Sequence, residues 1–224
     1  MVNNPLFLVL GILLLWFPRR WMRLGTIFGR RKRKPRREDE PWVRREPGDP
    51  RLNFGRELRK PRNYFDLLRA TTGGLAVVGG DNISPSLHLP DRVSADSVLI
   101  YLGALLLLTI GLLIQTYRNE NGRMAFFAPV LYLAGLSVCL VGTWSAVFAF
   151  ILIWALNPML RNPQAFLAVY ALIVTGFGLA LGSVAFERPI VAFFLFLLPV
   201  LLSLMTRRPL IVFSRKGFRV GEAG

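Results

Sequence analysis

Few side chains in this sequence are of the types that do chemistry, and their spacing matches no common catalytic or metal site. The candidates for an enzyme acting on lipid are Asp66, Asp81, His88 and Asp91, all in the polar part of the chain before residue 97. His88 is the only histidine and Cys139 the only cysteine, and the motifs HExxH and GxSxG are absent. The sequence therefore predicts a protein that is not an enzyme and that holds no metal and no cofactor.

A dense run of positive charge is the clearest chemical feature. Residues 19–37 contain ten Lys or Arg and no acid. Because this run directly follows an apolar segment, it is typical of a topogenic signal that keeps a loop in the cytoplasm. The same charges favour contact with anionic lipid head groups or with an acidic surface of a partner protein. Contact with nucleic acid is a third interpretation, and we do not expect it. The predicted lipid or partner contacts are Arg30, Arg31, Lys32, Arg33, Lys34, Arg36 and Arg37.

The composition indicates where such a chain resides. Of the 224 residues, 53% are hydrophobic and only 18% are charged, yet the net charge is +15. A soluble domain has about 25% charged residues, so apolar spans and basic loops must be segregated along this chain. We predict an all-α, polytopic helical membrane protein with a basic, partly disordered cytoplasmic segment, located in the bacterial inner (cytoplasmic) membrane.

Apolar runs divide the chain into four predicted segments. An N-terminal membrane anchor covers 1–18, although its apolar part is short and a helix lying on the membrane is the alternative. A basic cytoplasmic linker covers 19–96 and contains a short interfacial helix from residue 64, which Gly73 and Gly74 are expected to break. A transmembrane helical bundle covers 97–206, and a basic C-terminal tail covers 207–224. Within the bundle, the polar residues Gln115 and Asn157 lie at predicted helix ends and receive no special role.

The number of membrane spans is predicted only as five to seven, because an odd number of spans in the bundle conflicts with the distribution of positive charge. The predicted spans of the bundle are 97–116, 124–142, 143–160, 164–185 and 190–206. Five spans would place the basic linker and the basic tail on opposite faces, whereas both sets of positive charge favour the cytoplasm. Two repairs are open. Residues 127–156 could form one long tilted helix, or residues 64–80 could cross the membrane despite Asp66 and Arg69.

Small residues recur at helical spacing in the span 164–185. They form a single stripe along one face, and the last glycine pair is a GxxxG step. We interpret this small-residue stripe as a surface where helix backbones approach closely, within the chain or with a partner. The stripe consists of Ala168, Ala171, Thr175, Gly178, Gly182 and Ala185.

These patterns favour a non-catalytic accessory or scaffold subunit that packs against other membrane helices. Its expected partners are anionic membrane lipids and other membrane protein subunits. The alternative is a small transporter or channel for a neutral or apolar solute. The spans contain no ionisable side chain, which argues against proton-coupled transport.

Overall fold

The computed structural model describes most of the predicted bundle and two helices that precede it. Its described residues are 5–17, 61–78, 95–120, 123–160, 162–181, 186–208 and 210–211. The described part is predominantly α-helical, which confirms the all-α prediction. The predicted basic contacts Arg30–Arg37 lie outside the described residues, as do Gly182 and Ala185 of the small-residue stripe.

Seven α-helices and a small sheet make up the described part. The helices are α1 (Pro5–Trp16), α2 (Pro61–Val78), α3 (Ala95–Thr116), α4 (Val130–Val141), α5 (Thr143–Leu156), α6 (Pro163–Ala180) and α7 (Glu187–Met205). The strands are β1 (Tyr117–Glu120), β2 (Arg123–Phe127) and β3 (Leu210–Ile211). A short 3-10 turn, Asn157–Met159, follows α5.

Consecutive helices run up and down between two ends of the bundle. A Cβ added at Gly11 of α1 would meet Ala76 near the end of α2, whereas the carbonyl of Phe17 after α1 accepts from Arg69 earlier in α2. These two helices are therefore antiparallel. Gln164 at the start of α6 donates to Ser203 at the end of α7, which sets the same relation there. We call the end holding Phe17, Thr116 and Met205 the sheet end, and the end holding Gly142 the distal end.

The sheet closes one end of the bundle. β1 and β2 pair antiparallel, with Tyr117 opposite Phe126, and β3 adds to β2 in parallel with Leu210 opposite Phe126. The strands therefore join the end of α3, the start of α4 and the segment after α7. The helix predicted from residue 124 begins at Val130 instead, because residues 123–127 pair in this sheet.

A sharp turn at Gly142 folds the segment 130–156 back on itself. Gly142 has φ 86° and ψ 158°, a conformation that an L-residue with a side chain rarely adopts. Leu131 of α4 and Phe150 of α5 line the same groove. In one continuous helix they would be about 28 Å apart. The alternative of a single long helix over 127–156 is therefore wrong, and the segment is a helical hairpin.

The prediction that Gly73 and Gly74 break a helix is also wrong. α2 continues through both glycines to Val78. A Cβ at Gly73 would lie 2.9 Å from the carbonyl oxygen of Gly11, and one at Gly74 would collide with the sulfur of Cys139. Close packing against α1 and α4 therefore offsets the roughly 1 kcal/mol that each glycine costs inside a helix.

Two helices, Pro163–Ala180 and Glu187–Met205, have the length and apolar composition that a membrane crossing requires. Several other helices are apolar but shorter, and α2 carries Asp66 and Arg69. α7 continues through Pro199, which the sequence also placed inside a span.

Candidate functional site

A cluster of buried polar side chains surrounds Arg69, halfway along α2. We define the Arg69 cluster as Asp66 and Arg69 of α2, Gln115 of α3 and Tyr132 of α4. Each of these side chains is buried, and Arg69 is only 2% exposed. Because apolar side chains surround them, their polar groups must be satisfied within the protein.

Arg69 is the centre of the cluster. Its Nη2 lies 2.8 Å from Oδ1 of Asp66 and donates to Oε1 of Gln115 at 2.7 Å. Its Nη1 donates to the main-chain carbonyl of Phe17. The guanidinium carbon also lies 5.4 Å from the centre of the Tyr132 ring, a cation–π distance. The carboxylate neutralises the guanidinium, so the interior holds an ion pair rather than a lone charge.

The remaining bonds of the cluster converge on the C-terminal end of α1. Gln115 donates from Nε2 to the carbonyl of Phe17 at 3.1 Å and to that of Leu15 at 3.3 Å. The Tyr132 hydroxyl donates to the Leu15 carbonyl at 3.2 Å. The last carbonyls of any helix lack partners within that helix and carry partial negative charge. Three helices therefore supply a tertiary cap for the end of α1.

A second bond fixes α1 to α3. The indole nitrogen of Trp16 donates to the carbonyl of Leu107 at 3.1 Å. The Trp16 side chain is half-buried against α3. Together with the Arg69 cluster, this bond fixes the C-terminal half of α1 to α2, α3 and α4.

The small-residue stripe of α6 faces inward over the part that the structure describes. Ala171 and Gly178 are buried, and Ala168 and Thr175 are half-buried. A Cβ at Gly178 would lie 2.9 Å from Pro189 of α7 and from Val141 of α4. Thr175 donates to the Pro189 carbonyl at 3.2 Å. These described positions therefore mediate contacts within the chain.

Of the four candidates for catalysis, Asp66 lies within the described residues. Asp66 belongs to the ion pair with Arg69, and Asp81, His88 and Asp91 lie outside the described residues. Among the described residues, no three His, Cys, Asp or Glu side chains converge in a way that could hold a metal ion. The Arg69 cluster, as described, connects helices to one another through hydrogen bonds and an ion pair.

Sequence reasoning missed Gln115 and Tyr132 as partners of Arg69. Gln115 was treated as an ordinary residue at a helix end, and Tyr132 was not singled out. The available signal was the Asp66–Arg69 pair, three residues apart and therefore on one face of a helix. When such a pair lies beside apolar spans, polar side chains on neighbouring helices are expected to bind it.

No relative provides an independent guide to this site. The chain matches no protein-family model, no curated protein and no solved structure.

Proposed function

We propose that the chain is a multi-pass membrane protein of the bacterial cytoplasmic membrane and that all of its described helices lie within the bilayer. The supporting observation is the outward face of the bundle, where large apolar side chains are exposed on α1, α3, α5, α6 and α7. Soluble monomers rarely expose apolar surface of this extent. Examples are Leu6, Leu13, Leu99, Leu106, Ile151, Leu172, Phe194 and Leu204.

The course of the helices supports a crossing by α2, and such a crossing would remove the parity conflict. Phe17 and Pro61, which flank the connector 18–60, both belong to the sheet end, as does the segment after α7. The segments that adjoin this end in the sequence, 18–60, 117–129, 157–162 and 206–224, contain 24 of the 28 Lys and Arg residues, whereas those that adjoin the distal end contain only Arg92. The positive-inside rule then assigns the sheet end to the cytoplasm.

The two short helices of the hairpin do not alter this count. α4 has 12 residues and α5 has 14, or about 18–21 Å each, which is less than the ~30 Å hydrocarbon core. Whether the hairpin crosses twice or enters and leaves on one face, its contribution to the number of crossings is even. If α2 crosses the membrane, the connector 18–60 and the tail 207–224 therefore lie on the same face of the membrane.

Cysteine accessibility tests this topology. In a Cys139→Ala background, single cysteines replace Gly48, Ser86 and Ser214 in three different connectors. We expect an impermeant thiol reagent to label Ser86→Cys on intact cells, and to label Gly48→Cys and Ser214→Cys only after permeabilisation. Labelling of Gly48→Cys and Ser214→Cys from opposite faces would disprove a crossing by α2.

Within the membrane, we infer a non-catalytic role as an accessory or scaffold subunit. The support is that the polar side chains of the Arg69 cluster bond to one another and to helix ends. The basic residues 30–37 would bind anionic lipid or an acidic partner surface. Purification from native membranes should yield a defined complex, and recovery of the chain alone would count against a scaffold.

Neutralising the basic run tests the lipid contact. Replacing Arg30, Arg31, Arg33 and Arg36 by Gln should weaken binding of a peptide covering 19–60 to phosphatidylglycerol vesicles by roughly 1 kcal/mol per residue. The matched control replaces Arg44, Arg45, Arg51 and Arg56, which have acidic neighbours. Equal losses in the two variants would show that the run 30–37 has no special role.

The alternative of a small transporter or channel would be supported by a polar path through the bundle. The groove between α2, α4 and α5 is lined by apolar side chains except for Asn63 and the hydroxyl of Tyr64, so it does not favour this alternative.

A further inference from the structure

The turn between α4 and α5 lies level with the ends of two longer helices. A Cβ added at Gly178, in the last turn of α6, would lie 2.9 Å both from Val141 and from Pro189. Val141 is the last residue of α4, and Pro189 belongs to the first turn of α7. Ser145, in the first turn of α5, donates its hydroxyl to the carbonyl of Phe177 at 3.3 Å. The helical hairpin therefore reaches as far toward the distal end as α6 and α7 do.

The other ends of the hairpin lie at the sheet end. Tyr132, in the first turn of α4, donates to the carbonyl of Leu15 near the end of α1. The ring of Trp154, in the last turn of α5, lies 5.6 Å from the ring of Phe166 in the first turn of α6. The hairpin therefore extends over the same interval as α6, whose 18 residues rise about 27 Å.

The limited length of α4 and α5 is compatible with this reach. Ten of the twelve residues of α4 are buried, so neighbouring helices surround it. The extended residues Ala128 and Pro129 before it are buried as well, and non-helical backbone at membrane depth is tolerated where protein covers it. The 3-10 turn Asn157–Met159 lengthens α5 to about 27 Å, close to the ~30 Å hydrocarbon core.

The outward face of α5 is apolar from one end to the other, with a tryptophan at the distal end. Trp144 is 72% exposed, and its ring stacks on that of Phe148 at 6.3 Å. Indole rings are enriched where the hydrocarbon core meets the lipid head groups. A hairpin that turned back within the bilayer would instead place this indole in hydrocarbon. The large exposed side chains that continue this face toward the sheet end are Val147, Phe148, Ile151, Leu152 and Met159.

We propose that α4 and α5 each cross the bilayer and that the indole of Trp144 lies among the lipid head groups of the leaflet at the distal end. The inference rests on the proposed membrane location. It goes beyond that location by assigning two crossings to the hairpin and a contact with the membrane surface to its turn. Trp144 then anchors the turn at the distal face of the membrane.

Depth measurements on the full-length protein in vesicles of phosphatidylcholine and phosphatidylglycerol test the proposal. In a Cys139→Ala background, Trp144→Cys, Ile151→Cys and Met159→Cys each carry a nitroxide at an exposed position. Electron paramagnetic resonance compares the accessibility of each label to a water-soluble nickel complex and to oxygen. We expect the nickel-to-oxygen ratio to be at least about fivefold lower at position 151 than at 144 and 159, because hydrocarbon excludes a polar complex. A ratio at 144 as low as that at 151 would overturn the proposal.

A second label keeps the indole in place. Thr143→Cys lies beside Trp144 and is exposed, and Leu172→Cys, exposed at the middle of α6, provides the reference for the centre of the bilayer. The label at 143 should match that at 144, and a label as shielded as the one at 172 would overturn the crossing. Resistance to carbonate extraction separates the two levels. An extracted chain refutes the membrane location, whereas an integrated chain with a shielded turn refutes only the two crossings of the hairpin.

Discussion

The first four helices and the last three are held together by different interactions. α1, α2, α3 and α4 meet through an ion pair, a side-chain amide and a tyrosine hydroxyl around Arg69. α5, α6 and α7 meet through aromatic rings, among which Trp154 and Phe166 lie 5.6 Å apart and Tyr170 and Phe196 lie 4.9 Å apart. Polar bonds between these three helices include those made by the hydroxyl groups of Ser145 and Thr175 and by the side-chain amide of Gln164.

The difference follows from what each helix lacks when it is alone. α6 and α7 are long and apolar enough to be stable in lipid and then need only packing between them. α1 has only 12 residues, and α2 contains an Asp and an Arg. The end of α1 needs hydrogen-bond donors, and the charged side chains of α2 need polar partners. The Arg69 cluster supplies both. The bundle therefore combines self-sufficient helices with helices that depend on their neighbours.

Removing the guanidinium at the centre of the first region should have the largest effect. Arg69→Leu leaves the buried Asp66 carboxylate without its counter-charge and removes a donor to the end of α1. We expect a loss of about 3–5 kcal/mol in the free energy of unfolding. Reversible unfolding of the purified protein in mixed micelles measures it. The double variant Asp66→Leu with Arg69→Leu should recover part of this loss, and equal losses would contradict the role of the uncompensated charge.

Backbone contact in the same region should produce an intermediate effect. A Cβ at Gly135 of α4 would lie 2.7 Å from the Cβ of Ala70 and even closer to the Leu67 carbonyl of α2. We expect Gly135→Ala to cost about 1–3 kcal/mol by forcing α2 and α4 apart. In the control Gly103→Ala, the new methyl group meets open space, and stability should rise by about 0.5–1 kcal/mol. Similar changes in both variants would show that this contact does not limit the packing.

The second region should respond least to the loss of a polar bond. Thr175→Val removes the hydroxyl that donates to the Pro189 carbonyl and to Ala171 of its own helix. In the membrane location proposed above, a hydrogen bond of this kind between helices averages about 0.6 kcal/mol, so we expect a loss of that size in the same unfolding measurement. The control is Thr72→Val, since Thr72 is exposed and bonds within its own helix. A loss as large as that of Arg69→Leu would remove the contrast between the two regions.

The sequence was most informative where a helix is long and uniformly apolar. The spans predicted at 97–116, 164–185 and 190–206 correspond to α3, α6 and α7 with shifts of a few residues. It was less informative for residues 117–127, which were read as a polar break and the beginning of a span. The pair Asn121–Gly122 is a common hairpin signal that was overlooked. β3, which completes the sheet, pairs across more than 80 residues and has no local signal.

By itself, the sequence determined the helical class, the apolar spans and the segregation of positive charge, because these depend on composition and on periodicity within a segment. Only the tertiary structure decided that α2 stays helical at its two glycines and that the chain reverses at Gly142. It also decided that Arg69 contacts Gln115 and Tyr132. Each of these features depends on which backbone or side chain of another part of the chain lies opposite the residue concerned. A glycine that breaks an isolated helix is retained where a neighbouring helix occupies the space of the absent side chain.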